Sequence, residues 1–169
     1  MKILLLSLVL GLACVQEPQT EQDPTQRSRI SGKWKTLYVA ASNREKTSEN
    51  GPFHAYMCWI HFENGNNKIF FKFFVNGNGT KLSVQGRKIA PNIYKTDYAG
   101  TNELHIVRLS QNSMIVYKIN VDEKGKKSII TGLLAMCKGN KIQDEDLEKF
   151  KELMREKGIP EENDCPSSE

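Results

Sequence analysis

The chain has 169 residues, of which 38% are hydrophobic, 8% aromatic and 26% charged, and its formal net charge is +4. This length corresponds to one domain, and the composition excludes wholesale disorder and a fibrous repeat. Lysine and glutamate are interleaved, with a single short basic cluster at residues 124–127, so neither a nucleic-acid partner nor a basic membrane-binding face is expected.

The first fifteen residues have the layout of a secretory signal peptide. Lys2 supplies a positive start, residues 3–15 form an apolar run, and small residues follow near Ala13. The run is shorter than the ~20 residues that a membrane span needs. We therefore expect residues 1–15 to be removed near Val15, and residues 16–169 to form one secreted, extracellular domain without a membrane span.

After a polar arm, the sequence alternates short β-branched and aromatic segments with turns rich in Gly, Asn and Asp, which is typical of strands. Eight such strands with short connections predict an antiparallel meander. Closing it into an up-and-down β-barrel removes both unpaired edges. The predicted strands span residues 33–42, 53–63, 68–75, 81–88, 93–98, 103–110, 114–121 and 128–137.

Near the C-terminus the hydrophobic period changes from two to that of a helix. Asp144 is the expected N-cap, and Gly158 with Pro160 mark the end. We expect this single helix to pack against the outside of the barrel. Its apolar stripe consists of Leu147, Phe150, Leu153 and Met154.

The strands also predict an apolar barrel interior. Phe53, Ala55 and Met57 share one pleat face, as do Phe71 and Phe73, because successive side chains point to opposite faces of a strand. An eight-stranded barrel can be filled by side chains or can hold one small ligand. Periodicity alone leaves both alternatives open.

A family resemblance bears on that choice. The first strand begins with Gly32-Lys33-Trp34, and further matching segments lie at residues 49–53, 94–102, 120–123, 131–134, 138–139, 146–151 and 158–163. Together these segments resemble the odorant-binding proteins of mammals, a lipocalin branch that includes aphrodisin-like and animal-dander proteins. The resemblance covers residues 16–169.

The resemblance implies a lipocalin calyx that reversibly carries small hydrophobic or volatile molecules, such as odorants or pheromones, with no cofactor. It implies a monomer or homodimer, and it names no receptor. Gly32, Trp34 and Lys138 correspond to structural motif positions, where the lysine crosses the face of the tryptophan at the closed end. The implied ligand-binding residues are Phe53, Ala55, Met57, Phe71, Phe73, Tyr98, Asn102, Leu104, Val116, Lys118, Ile130, Gly132 and Leu134.

Two of these positions depend on the family pattern alone. On the strand over residues 114–121, the more apolar face carries Ile115, Tyr117 and Ile119, which periodicity would point inward. The resemblance instead places Val116 and Lys118 inside. A lysine there is unusual for the family, and burial would lower its pKa and favour ligands with a hydrogen-bond acceptor.

The cysteines depart from the family pattern. The fourth strand has no cysteine, so the usual disulfide cannot form. We expect Cys165 to pair with Cys137 if it pairs within the chain. Cys58 opens an alternative, a lipocalin-type enzyme similar to prostaglandin D synthase with a nucleophilic cysteine, although the alternation of its strand points Cys58 outward.

Other chemistry is sparse in the sequence. A secreted signalling protein with a filled barrel is a further alternative to a carrier. His54, His61 and His105 have no spacing that predicts a metal site, and no catalytic residues are expected. Asn78 begins an Asn-Gly-Thr acceptor for glycosylation in a predicted exposed turn.

Overall fold

The computed structural model describes residues 31–75, 79–110, 112–137 and 142–161, together with the backbone of Cys165–Pro166. These residues form one barrel, one α-helix, which we call α1 (Asp144–Glu156), and a short 3-10 helix (Arg44–Lys46) between the first two strands. The strands are β1 (Gly32–Ala41), β2 (Tyr56–Glu63), β3 (Lys68–Val75), β4 (Thr80–Ala90), β5 (Ile93–Asp97), β6 (Thr101–Leu109), β7 (Ser113–Val121), β8 (Lys127–Met136) and β9 (Cys165–Pro166).

The sheet closes on itself. Strands β2 to β8 pair antiparallel with their neighbours in chain order, and β8 pairs with β1. The barrel is completed where β1 returns to β2, with Gly32 opposite Ile60. The predicted eight-stranded antiparallel barrel with a single outer helix is confirmed. The two-residue β9, which the sequence did not predict, adds to β1 beside Tyr38 and Val39.

Bulges change which side chains face inward. In β2 the register with β3 shifts between Met57 and Trp59. Met57 before the bulge and Ile60 after it both belong to the barrel interior, although they are an odd number of residues apart. An extra residue in a strand reverses the alternation beyond it, so a strict period of two cannot describe the whole strand.

One end of the barrel is filled. Trp34 is 1% exposed and packs in a cluster with large side chains from six other strands, which agrees with the structural role expected for it. Gly32, just before it, has φ +150, a conformation that other residues rarely adopt. Lys138 lies outside the described residues. The cluster comprises Trp34, Ile60, Phe62, Ile69, Tyr94, Leu104, Ile106, Met114, Val116 and Leu134.

Helix α1 covers the outer face of β7 and β8. Phe150, Leu153 and Met154 are buried there against a second cluster that includes Ile115 and Leu133. Ile115 therefore faces outward under the helix. The apolar outer face of β7 results from this cover, which is why periodicity alone assigned it to the barrel interior.

The start of α1 differs from the expectation. Its N-cap is Gln143, without a capping hydrogen bond from the side chain, and Asp144 is already helical. The carboxylate that anchors the first turn is Asp146, which accepts hydrogen bonds from Arg108 Nε at 3.0 Å and Ser113 Oγ at 2.9 Å. These bonds tie the helix to β6 and β7, while the acidic first turn complements the helix dipole.

Candidate functional site: an apolar cavity in the barrel

The other end of the barrel is hollow. The cavity, including its open mouth, contains about 860 Å³ of space that no protein atom occupies. Its wall is mostly apolar, and this space favours a barrel that holds a ligand over the filled one that the sequence left open. The lining residues are Thr36, Val39, Phe53, Ala55, Met57, Phe71, Phe73, Val84, Thr96, Tyr98, Leu104, Met114, Val116, Lys118, Ile130, Thr131, Gly132 and Leu134.

Aromatic rings narrow the cavity near its mouth. Phe53, from the connection between β1 and β2, meets Tyr98 edge to face with a centroid distance of 5.5 Å, and Phe73 meets Tyr98 in the same way at 5.2 Å. The Tyr98 hydroxyl donates a 2.7 Å hydrogen bond to the Pro52 carbonyl, and burial raises the pKa of Tyr98. Tyr98 thus fixes the connection beside the mouth.

A second contact holds the same connection from the opposite strands. Lys46 Nζ lies 3.0 Å from Asp122 Oδ2, at the turn between β7 and β8. The pKa of Asp122 is lowered, first by the hydrogen bond from the Lys126 backbone amide and then by Lys46. We call the Lys46–Asp122 ion pair the mouth latch.

Lys118 is the one charged side chain among the described lining residues. Its cross-strand neighbours are Leu104 on β6 and Ile130 on β8. Its Nζ lies 4.7 Å from the centroid of the Phe53 ring, a cation–π distance worth about 0.5–2 kcal/mol. Burial lowers the pKa of Lys118 from 10.5 to about 8.

The cavity wall includes every implied ligand-binding residue except Asn102. Asn102 is 2% exposed but does not reach the cavity. Its Nδ2 donates to the Tyr98 carbonyl at 2.8 Å, and its Oδ1 accepts from Asn120 Nδ2 at 3.0 Å. These bonds hold its amide at the turn between β5 and β6, and a ligand contact of Asn102 stays a prediction. Whether the remaining residues bind a ligand stays a prediction.

Several lining residues were not predicted, namely Thr36, Val39, Val84, Thr96, Met114 and Thr131. Val84 pairs with Phe71 across β3 and β4, and cross-strand partners share a face. Correct pairing of the strands would have found it. Val39 follows the bulge of β1 between Thr36 and Tyr38, and simple alternation from Trp34 points it outward.

The expected disulfide is absent. Cys137 is a free cysteine whose amide bonds to the Lys33 carbonyl, whereas the backbone of Cys165 pairs with Val39 further along β1. At ~3.3 Å per residue these two positions are roughly 20 Å apart, well beyond the ~7 Å limit for a disulfide. The predicted Cys137–Cys165 disulfide is therefore wrong. The C-terminal segment meets β1 at Val39, far from the end of β1 where Cys137 lies.

Cys58 is also free and half-buried. It lies in the bulge of β2 and does not belong to the described cavity wall. The enzyme alternative requires a thiol that faces the bound molecule. The position of Cys58 off the cavity wall agrees with the outward orientation expected from the sequence.

The remaining candidates add no further site. In the part of the chain that the structure describes, no three His, Cys, Asp or Glu side chains lie together as metal ligands. His54 instead contacts the Thr47 carbonyl through Nδ1 at 3.0 Å and the Tyr56 hydroxyl through Nε2 at 3.1 Å. Among the same residues no helix is long and apolar enough to cross a membrane. Asn78 lies outside the described residues.

Comparison with known proteins agrees with this architecture. Residues 31–165 match the model of the lipocalin and cytosolic fatty-acid binding protein family. The chain is 37% identical over 164 residues to the female-specific lacrimal gland protein of Mesocricetus auratus, covering 96% of this chain and 92% of the relative. The chain belongs to the lipocalin / cytosolic fatty-acid binding protein family.

Two solved structures are similar as well. A dog lipocalin allergen superposes with a TM-score of 0.76 at 40% identity, over 81% of this chain and 92% of the other. A complex of bovine odorant-binding protein with undecanal gives a TM-score of 0.63 at 35% identity, over 85% and 90%. The expected resemblance to odorant-binding lipocalins is confirmed.

Proposed function

We propose that this protein is a secreted carrier that reversibly binds small hydrophobic molecules, such as odorants or pheromones, in the barrel cavity. The observation that carries the proposal is the hollow end of the barrel, with its apolar wall and few polar groups. Removing apolar ligand surface from water contributes about 25 cal/mol per Å². Few directional contacts are available, so we expect a broad range of ligands.

The relatives support the same class of function. One is a bovine odorant-binding protein in complex with undecanal, and another is a female-specific lacrimal gland protein. The first of these names is that of a binding protein. Together with the position of Cys58 off the cavity wall, this favours binding without catalysis.

The test is saturable binding of an apolar fluorescent probe to the mature chain. We expect one site per chain, and displacement by unrelated alcohols, aldehydes and terpenoids of similar size. No saturable binding would contradict the proposal. Turnover of a prostanoid endoperoxide in the presence of thiol, lost in Cys58→Ala, would favour the enzyme instead.

Gly132→Val provides a matched variant that fills the cavity. A Cβ at Gly132 would meet only Val116 Cγ2 at 3.4 Å and the Tyr38 carbonyl at 3.9 Å, so the added methyl groups enter space rather than backbone. We expect probe affinity to fall about tenfold while the unfolding midpoint in urea stays close to wild type. Unchanged affinity would place the probe outside the barrel.

A further inference from the structure

Lys118 lacks a polar partner inside the barrel. Among the described residues its ammonium contacts the Phe53 ring and takes part in no hydrogen bond or ion pair. The adjacent positions on β6 and β8 are the apolar Leu104 and Ile130. A buried polar group without a partner is costly unless a ligand binds it. A ligand with a polar group that can interact with the Lys118 amine would remove this cost.

Two ligand chemistries could meet that need. A carboxylate would form an ion pair with the buried ammonium, but the carboxylate would have to lose its own water in an apolar cavity, and this penalty can exceed the attraction. An aldehyde carbonyl can instead react with the neutral amine, which is the form that burial favours. Lysines desolvated in hydrophobic pockets form imines with carbonyl compounds in this way. The apolar wall therefore favours the aldehyde.

We propose that Lys118 retains aldehydes in the cavity as a reversible imine, which makes the cavity selective for aldehydes among ligands of similar size. The inference rests on the carrier function proposed above. The ammonium first releases a proton to water, and the neutral Nζ attacks the carbonyl carbon. A C=N bond replaces the C=O bond, and the carbonyl oxygen leaves as water with the two amine hydrogens. No oxidant or reductant is required.

The environment also separates Lys118 from the surface lysines. With a pKa of about 8, roughly a tenth of Lys118 is neutral near pH 7. Lys95, by contrast, is exposed to water and is not desolvated in this way. Among the described wall residues the other titratable group is Tyr98, whose hydroxyl is bonded to the Pro52 carbonyl. The neutral amine therefore has no competing nucleophile on the wall.

The experiment traps the imine in the wild-type protein. Undecanal is added near pH 7, the mixture is reduced with cyanoborohydride, and the digest is analysed by mass spectrometry. We expect one undecyl group on the peptide that contains Lys118. An excess of 1-undecanol, which fills the cavity but cannot form an imine, should suppress that adduct and leave any adducts on Lys95 and other surface lysines unchanged.

Two variants separate covalent capture from charge. Lys118→Met removes the amine, and Lys118→Arg keeps a positive charge that does not form an imine. In both variants we expect the ratio of undecanal to 1-undecanol affinity to fall about tenfold. An aldehyde preference that survives in Lys118→Arg would overturn the proposal, because charge alone would then explain it.

The two proposals fail in different ways. If undecanal displaces the fluorescent probe but no reducible adduct forms on Lys118, the imine proposal is overturned and the carrier function remains. If neither undecanal nor 1-undecanol displaces the probe, the carrier function falls, and the imine proposal falls with it. Since trapping and competition use the wild-type chain, the result does not depend on the folding of a variant.

Discussion

At the scale of single residues, Lys118 determines which chemical groups of a ligand the cavity can distinguish. An apolar side chain at this position would leave a wall that distinguishes ligands by size and shape. The lysine adds an amine whose pKa is lowered to about 8 by burial. It sits between Leu104 and Ile130, so the same burial that tunes the amine also costs the empty protein stability.

We expect this cost to depend on pH. Because the pKa of Lys118 is lowered in the folded chain, the unfolded state holds more protons between about pH 8 and 10.5, and stability rises with pH across that window. Below it the full cost of the buried charge applies, which is up to about 3 kcal/mol at 1.36 kcal/mol per pKa unit. Lys118→Met should remove the cost, and so be more stable than wild type near pH 7.

The measurement is urea unfolding of both proteins at about pH 7 and pH 9.5, where the stability gap should narrow at the higher pH. Tyr98, whose raised pKa acts in the opposite direction at still higher pH, is common to both proteins and cancels in the difference. Lys95→Met, which replaces an exposed lysine, is the control, and its stability difference from wild type should be the same at both pH values. A gap that is the same at both pH values would mean that Lys118 is not desolvated.

At the scale of elements, the connection between β1 and β2 controls access to the cavity. It contributes Phe53 to the wall, and it is held by the Tyr98–Pro52 hydrogen bond and by the mouth latch of Lys46 and Asp122. These contacts tie it to the turns after β5 and β7. A ligand that enters at this end must pass a segment held by a few polar contacts.

Lys46→Met should loosen this segment. An ion pair of this kind is a weak contact, so we expect the dissociation rate of a bound probe to rise roughly two- to fivefold with little change in the unfolding midpoint. Stopped-flow displacement of the probe measures the rate. Lys124→Met is the matched control, because Lys124 contributes only its backbone amide to Asp122. Equal rates in Lys46→Met and wild type would contradict a role for the latch.

We also expect the mouth latch to be lost at low pH, when Asp122 is protonated. The pKa of Asp122 is lowered, so its contribution is fully present above the ordinary pKa of 3.8 and disappears as the pH falls through the folded value. In Lys46→Met the dissociation rate should respond less to acid than in wild type. The same stopped-flow experiment, repeated at falling pH, makes the comparison.

At the scale of the whole molecule, a closed barrel suits a carrier. Each of the strands β1 to β8 has a partner on both sides once β1 meets β2, so the wall of the cavity has no open sheet edge to rearrange. Helix α1 buries the apolar outer face of β7 and β8. The interior can therefore stay hollow at one end, because the packed end around Trp34 and the covered outer face supply the core.

We expect the chain to be secreted after loss of residues 1–15. The apolar run after Lys2 is the reason. Expression in secretory mammalian cells and N-terminal sequencing of the medium should give a chain that begins near Gln16. Leu6→Arg, which places a charge inside the run, should keep the protein in the cells. A secreted chain that still begins at Met1 would contradict the prediction.

Much of the architecture follows from local patterns. Alternating segments predicted the strands because side chains in a strand repeat every two residues, and the stripe with Phe150 predicted α1 because a helix repeats every 3.6. The strand bounds agree within a few residues, with the start of β2 at Tyr56 as the main shift. The inward positions of Val116 and Lys118 came from the family resemblance, against the local pattern.

By itself, the sequence determined the eight barrel strands, the antiparallel meander and the outer helix, since each depends on neighbouring residues. Most of the predicted cavity wall came from the family resemblance. The tertiary structure decided what depends on distant pairing. Bulges at Met57 and Thr36 reversed the alternation of inward and outward side chains, and α1 covers the apolar outer face of β7. The hollow end and the burial of Lys118 depend on how eight strands pack around one interior, and the period of two within a strand does not show whether that interior is hollow.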